Sequence, residues 1–238
     1  MATTDPIAQR AWRRAAILGI LLVLGAFWLS SQIPQTVCGG DPTRHPFVLF
    51  QLARHPSDIA TLFGMDFGGP CTAGLIAGFD YANRLTLFLF LPLTGFFLGQ
   101  IAWLIGKEGH SAEGALLIGF WATALFAAAA VTLLQLHIGQ HVPGSPTATQ
   151  MLGLAGRATY LGLAAYALMS AYLLWHAGPT AAPRWLAGMI GASGLLTLLA
   201  LLGILPQDWL LRCVALGWLG LLGLAMAHGF DKSLHKTP

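Results

Sequence analysis

Long apolar runs separated by short polar stretches set the pattern of the chain. A helix that crosses the bilayer core needs about 20 mostly apolar residues. Six stretches approach or exceed that length, at about Ala15–Ser31, Leu85–Ile105, Ala115–Leu136, Met151–Trp175, Trp185–Leu205 and Leu210–Met226. The pattern predicts an all-α fold: a polytopic transmembrane helical bundle of six spans, forming one membrane domain over residues 1–238.

Four of the five connections are short. The exception is the stretch between the first two spans, about Gln32 to Arg84. Loops this long are uncommon without structure of their own and are often functional, so a structured extracytoplasmic loop is expected over residues 32–84. Its apolar segment, Phe47 to Ala53, ends before Pro56. Ser57 is placed as the N-cap of a short helix running to Phe63, with Asp58 favourable in its first turn. Phe47, Leu49, Phe50, Leu52, Ile59, Leu62 and Phe63 give these pieces an apolar side, which predicts that they lie on the outer membrane surface or cap the bundle.

Composition supports this reading. The chain is 56% hydrophobic and only 9% charged, where about 25% charged is usual for a soluble domain. So few charges cannot clothe a water-soluble surface. A soluble globular enzyme and a disordered protein are excluded. So is a nucleic-acid partner, because the basic residues behind the net charge of +3 are scattered and form no stripe.

The first apolar run has the basic flank of a signal peptide in Arg10, Arg13 and Arg14. However, no A-x-A-like cleavage site follows Ser31, the run is long for a signal, and AAILG after Arg13-Arg14 is a poor twin-arginine context. A retained first span is expected. Orientation follows from Lys and Arg. With the N-terminus inside, Arg10, Arg13, Arg14, Lys107, Arg184, Lys232 and Lys236 face the cytoplasm against Asp5, Glu108, Glu113 and Asp231. Five arginines balance five aspartates on the other side: Arg44, Arg54, Arg84, Arg157 and Arg212 against Asp41, Asp58, Asp66, Asp80 and Asp208. Trp103, Trp175 and Trp185 fall near inner helix ends, where an aromatic belt belongs. The expected location is a bacterial inner membrane with both termini cytoplasmic.

Cys38 and Cys71 bracket the loop's apolar segment. On an oxidising outer face such a pair predicts a disulfide. Cys213, within the sixth span, is expected to be a small buried hydrophobe.

Ionisable residues inside a span are functional candidates by default. No Asp, Glu or Lys lies near the middle of any span, and Pro92 has no counterpart in the other half as an inverted repeat would require, which disfavours secondary transport. Arg157, in MLGLAGRATYLG, lies about two turns inside the outer end of the fourth span. It either snorkels to the interface or pairs with Asp80, Asp208 or Asp66. As a ligand-binding group, Arg157 with Asp208 would hold an anionic head group. His137 and His141 form HIGQH at the outer end of the third span. Together with Asp80 they are the catalytic candidates, either histidine serving as a general base. Ile138 replaces the glutamate of H-E-x-x-H and no third ligand is evident, so no metal site is expected. His176 and His228, at inner helix ends, sit at similar depth as a haem pair would. The helix dipole alone accounts for a histidine there, and no cofactor is expected.

Gly153 and Gly156; Gly188, Gly191 and Gly194; and Gly217, Gly220 and Gly223 mark close helix approaches within the bundle. Tyr160, Tyr166 and Tyr172 recur every six residues and form no stripe. No Walker loop, GxSxG, CxxC or dinucleotide fingerprint occurs. The expected role is therefore non-catalytic: an accessory or assembly subunit, or a binder of a lipid or other apolar ligand. Membrane lipids and other membrane proteins are the expected partners. A membrane-embedded enzyme acting at the outer face is the alternative, and a transporter the third.

Overall fold

The computed structural model describes residues 6–33, 35–39, 45–53, 55–64, 69–140, 146–177 and 181–230. Among them there is no strand, and six helices are long and apolar enough to cross a membrane. The first span is α1 (Pro6–Gln32). Two short helices follow, α2 (Pro46–Leu52) and α3 (Pro56–Phe63). The second span is composite: α4 (Pro70–Leu85), a π-helical turn (Thr86–Phe90) and α5 (Leu91–Lys107). The remaining spans are α6 (Ser111–Gln140), α7 (Pro146–Ala177), α8 (Ala181–Leu201) and α9 (Leu210–Phe230), the last entered through a 3-10 turn at Gln207–Trp209.

Proline opens α1, α2, α3, α4 and α7. At the first helical position its missing N–H is one that the helix leaves unpaired anyway, and its fixed φ suits the turn. This corrects two expectations. Pro56 begins α3, and the cap is His55, not Ser57: the His55 backbone N–H donates to Asp58 Oδ2 at 3.0 Å, tying the cap to the first turn. Likewise Pro70 starts a helix that runs without interruption into the second span, so residues 70–84 are not loop. Their polar residues concealed this. Asp80 and Arg84 pair at 2.9 Å along one face, while Asn83 is buried. The fifth span stops at Leu201, short of Leu205, because Gly203 turns the chain at φ 78°.

Pro92 explains the π turn. It offers no N–H and its ring crowds the preceding turn, so the helix widens there instead of breaking.

The spans close into a ring. α1 packs on α5, then α5 on α6, α6 on α7, α7 on α8, α8 on α9, and α9 back on α1. At the closing seam the Arg13 Nε donates to the Gly229 carbonyl at 2.8 Å, and Trp12 stacks on His228. The described ends of the chain therefore meet at one end of the bundle. Around the outside, Phe27, Phe88, Phe96 and Phe126 are each 71–78% exposed. Such a surface is compatible with lipid and not with water. Trp103, Trp175 and Trp185 are exposed at the terminus end.

At the opposite end α2 and α3 form a cap. Phe50 stacks on Phe79 and meets Phe63 edge-on, joining α2, α3 and α4 in one buried cluster with Ile33 and Leu62. Cys38 and Cys71 stand at disulfide distance, with Cα atoms 5.9 Å apart, and Cys38 N donates to the Leu62 carbonyl. Gly156 lets α2 lie on α7: a Cβ there would fall 1.4 Å from the Gln51 carbonyl oxygen. Cys213 is buried and free.

Candidate functional site

The cores leave a gap between them. At the terminus end Leu104, Leu117, Leu174, Ala187 and Leu224 belong to one close-packed cluster. At the cap end Val48 and Leu52 of α2 pack on Tyr160, Ala200 and Leu210. Between these layers is a half-enclosed cavity of about 250 Å³, walled by all spans except α1.

Most of its wall is apolar. Phe90, Leu98, Leu125, Leu163, Ile190, Val214 and Leu221 contribute, as do the rings of Trp121, Tyr166 and Trp218. Its polar groups are neutral: Thr86, Thr94, Ser170, Ser193 and Thr197, besides the tyrosine hydroxyl and the indoles. Among the described residues no Asp, Glu, Lys, Arg or His lines it. The Trp121 Nε1–H donates to Ser170 Oγ at 3.0 Å across the α6–α7 interface. Thr197 Oγ1 donates to its own helix, at the Ser193 carbonyl, 2.8 Å away. Ser193 faces Gly217, where a Cβ would stand 2.6 Å from the serine oxygen. The π turn supplies Thr86 and Phe90, so the distortion at Pro92 shapes the wall directly.

A second, polar cavity of about 460 Å³ lies under the cap. Arg157 of α7, the α3 cap His55 and Asp58 of α3, and Gln207 and Asp208 of the turn before α9 line it, over an apolar side from Val48, Leu49 and Leu52. Asp208 Oδ1 accepts from the His45 backbone N–H at 3.3 Å, and His45 Nδ1 accepts from the Phe47 N–H at 3.3 Å, capping α2. Burial pushes the His45 imidazole below its ordinary pKa, with Asp208 pulling the other way.

The two ligand-binding candidates, Arg157 and Asp208, thus come to one cavity. Asp80 does not line it and pairs with Arg84 instead. His137 belongs to the last turn of α6, but its side chain, like His141 and Asp66 altogether, lies outside the described residues. His55 and Asp58 join the site unannounced. Nothing in HPSD marks a cavity, and only the fold of the cap turns it toward Arg157. His176 Nδ1 is held by its own helix at the Tyr172 carbonyl, 2.8 Å away, whereas His228 stacks on Trp12. Among the described residues no three His, Cys, Asp or Glu gather as a metal site would need.

In comparisons with known proteins, no family model, curated protein or solved structure matches the chain.

Proposed function

We propose that this is a multi-pass integral protein of a bacterial inner membrane, with both termini cytoplasmic, which binds a lipid or other apolar ligand in the centre of its bundle. Its role is accessory and not catalytic, alongside membrane lipids and partner membrane proteins. The observation that carries this reading is the neutral, largely apolar cavity of about 250 Å³ between two packed layers. An apolar cavity of about 150 Å³ already accommodates benzene. Six apolar helices and the exposed phenylalanines support the membrane setting, while the charge balance of the sequence supports the orientation.

Purification in mild detergent, followed by mass spectrometry of the intact assembly, tests the reading. The expected result is a retained apolar small molecule that is lost from an Ala128→Phe variant, whose added ring fills the cavity. Recovery of only unselected bulk lipid, equal in both proteins, would refute it.

One observation favours a second reading, an enzyme or head-group site at the outer face. Arg157, His55, Asp58 and Asp208 share one polar cavity under the cap. In this reading Arg157 holds an anionic head group and a histidine serves as general base. Turnover of a lipid-like substrate that Arg157→Leu abolishes would establish it over the first. Transport ranks third, since no charged group among the described residues lines the central cavity.

A further inference from the structure

The hydroxyls of the central cavity are not equivalent. Helical serines and threonines ordinarily donate to the carbonyl one turn back. Thr123, Thr132, Thr159 and Thr197 all do so here, at 2.8–2.9 Å. Ser170 does not. It is 1% exposed, and its oxygen accepts the Trp121 indole proton. Its own hydroxyl hydrogen meets no acceptor among the described residues. A buried donor left unmatched is costly, and this one sits on the wall of a cavity. Ser193, also buried, lines the same cavity from α8 without donating to its own turn.

The remaining walls restrict what can answer that donor. With no cation among the described residues of the lining, a carboxylate or phosphate would be buried unpaired, and with no anion among them an ammonium would be. The ligand is uncharged. Trp121, Tyr166, Trp218 and Phe90 present ring faces and edges, which favour a flat conjugated partner. We infer that the cavity receives a neutral, planar ring bearing a carbonyl oxygen, a quinone-type head group, with that oxygen accepting the Ser170 hydroxyl hydrogen. The inference rests on the ligand-binding reading above and adds the ligand's class.

Two probes of one ring shape test it: 2-methyl-1,4-naphthoquinone, and 2-methylnaphthalene, which lacks the carbonyls. Binding to the whole protein in lipid nanodiscs is measured by equilibrium dialysis, with empty discs subtracted and affinities referred to probe concentration in the bilayer. The quinone should bind saturably and about five- to tenfold more tightly than the hydrocarbon, the effect of one neutral hydrogen bond. Ser170→Ala should erase that difference, and Ala128→Phe should abolish saturable binding of both probes. Equal affinities in the unaltered protein, or a difference that survives Ser170→Ala, overturn carbonyl recognition while leaving an apolar-ligand site standing. Failure of either probe to saturate the unaltered protein, or binding unmoved by Ala128→Phe, overturns the cavity reading itself. The comparison on unaltered protein decides the matter even if a variant fails to fold.

Discussion

The Trp12 indole N–H donates to Glu108 Oε1 at 2.7 Å, linking the first turns of α1 to the turn between α5 and α6. Trp12 is 1% exposed, so its N–H has no access to water. His228 stacks on the same indole and stands 3.9 Å from the other carboxylate oxygen. Three elements thus meet over one ring. Trp12→Phe should lower stability by about 1–2 kcal/mol, the loss of a hydrogen bond to a charged acceptor that is itself partly solvated. Glu108→Gln should cost less, because its amide oxygen still accepts. Thermal unfolding in detergent ranks the two, and the opposite order would show that the carboxylate's charge matters more than the bond.

Reduction should loosen the cap. Cys38 and Cys71 are 33 positions apart, on either side of α2 and α3. In the chain-entropy account, closing such a loop contributes about 3–4 kcal/mol. Non-reduced protein should resist alkylation at both positions, and reductant should lower the unfolding midpoint. Two thiols alkylated without reductant would refute the bond.

Acid should also release the cap. His45 caps α2 through an unprotonated Nδ1, and its folded pKa lies below the ordinary 6.5 because burial disfavours the charged ring, with Asp208 opposing. The stabilisation is therefore complete above pH 6.5. It is lost as pH falls below 6.5 through the lowered folded value. Hydrogen exchange over α2 should accelerate in that window. His45→Asn keeps a capping acceptor that does not titrate, and it should flatten the dependence.

Gly156 tolerates no side chain. A methyl group would fall 1.4 Å from the Gln51 carbonyl oxygen, backbone that cannot rotate away. Gly156→Ala should displace α2 and cost at least about 1–3 kcal/mol, the usual range for overpacking. Limited proteolysis of residues 45–64 reports it, and unchanged cleavage would mean α2 is held from elsewhere.

Arg157 is half-buried and lines one cavity with Asp58 and Asp208. Arg157→Leu should destabilise by about 1–2 kcal/mol, between the values for exposed and buried ion pairs. Arg157→Lys should restore only part, lacking the planar fork. Thermal unfolding of the three proteins measures this, and a neutral Leu variant would assign the arginine to snorkelling.

The six spans were legible because hydrophobic length is a local property, visible in any window of the chain. The cap was half legible. Its apolar side chains are evident in the sequence, but Pro56 reads there as an end and not as the helix start it is, and nothing marks Pro70 as the start of α4, which hides the first four turns of the second span. The central cavity was not legible at all. Ser170, Ser193 and Thr197 are unremarkable in their helices, and their meeting depends on which face each span turns inward. Arg157 declared itself by its charge within an apolar run. His55 and Asp58 had no such contrast in a polar loop, so their place beside it follows from the fold alone.

The seam between the first and last spans bridges 216 positions from Arg13 to Gly229. A ribosome makes the Arg13 stave well before the Gly229 stave. Until α9 is made, α1 has only α5 beside it in the ring, and the wall supplied by Val214, Gly217, Trp218 and Leu221 is missing. The cavity therefore gains its α9 wall only after every other helix that lines it has been made.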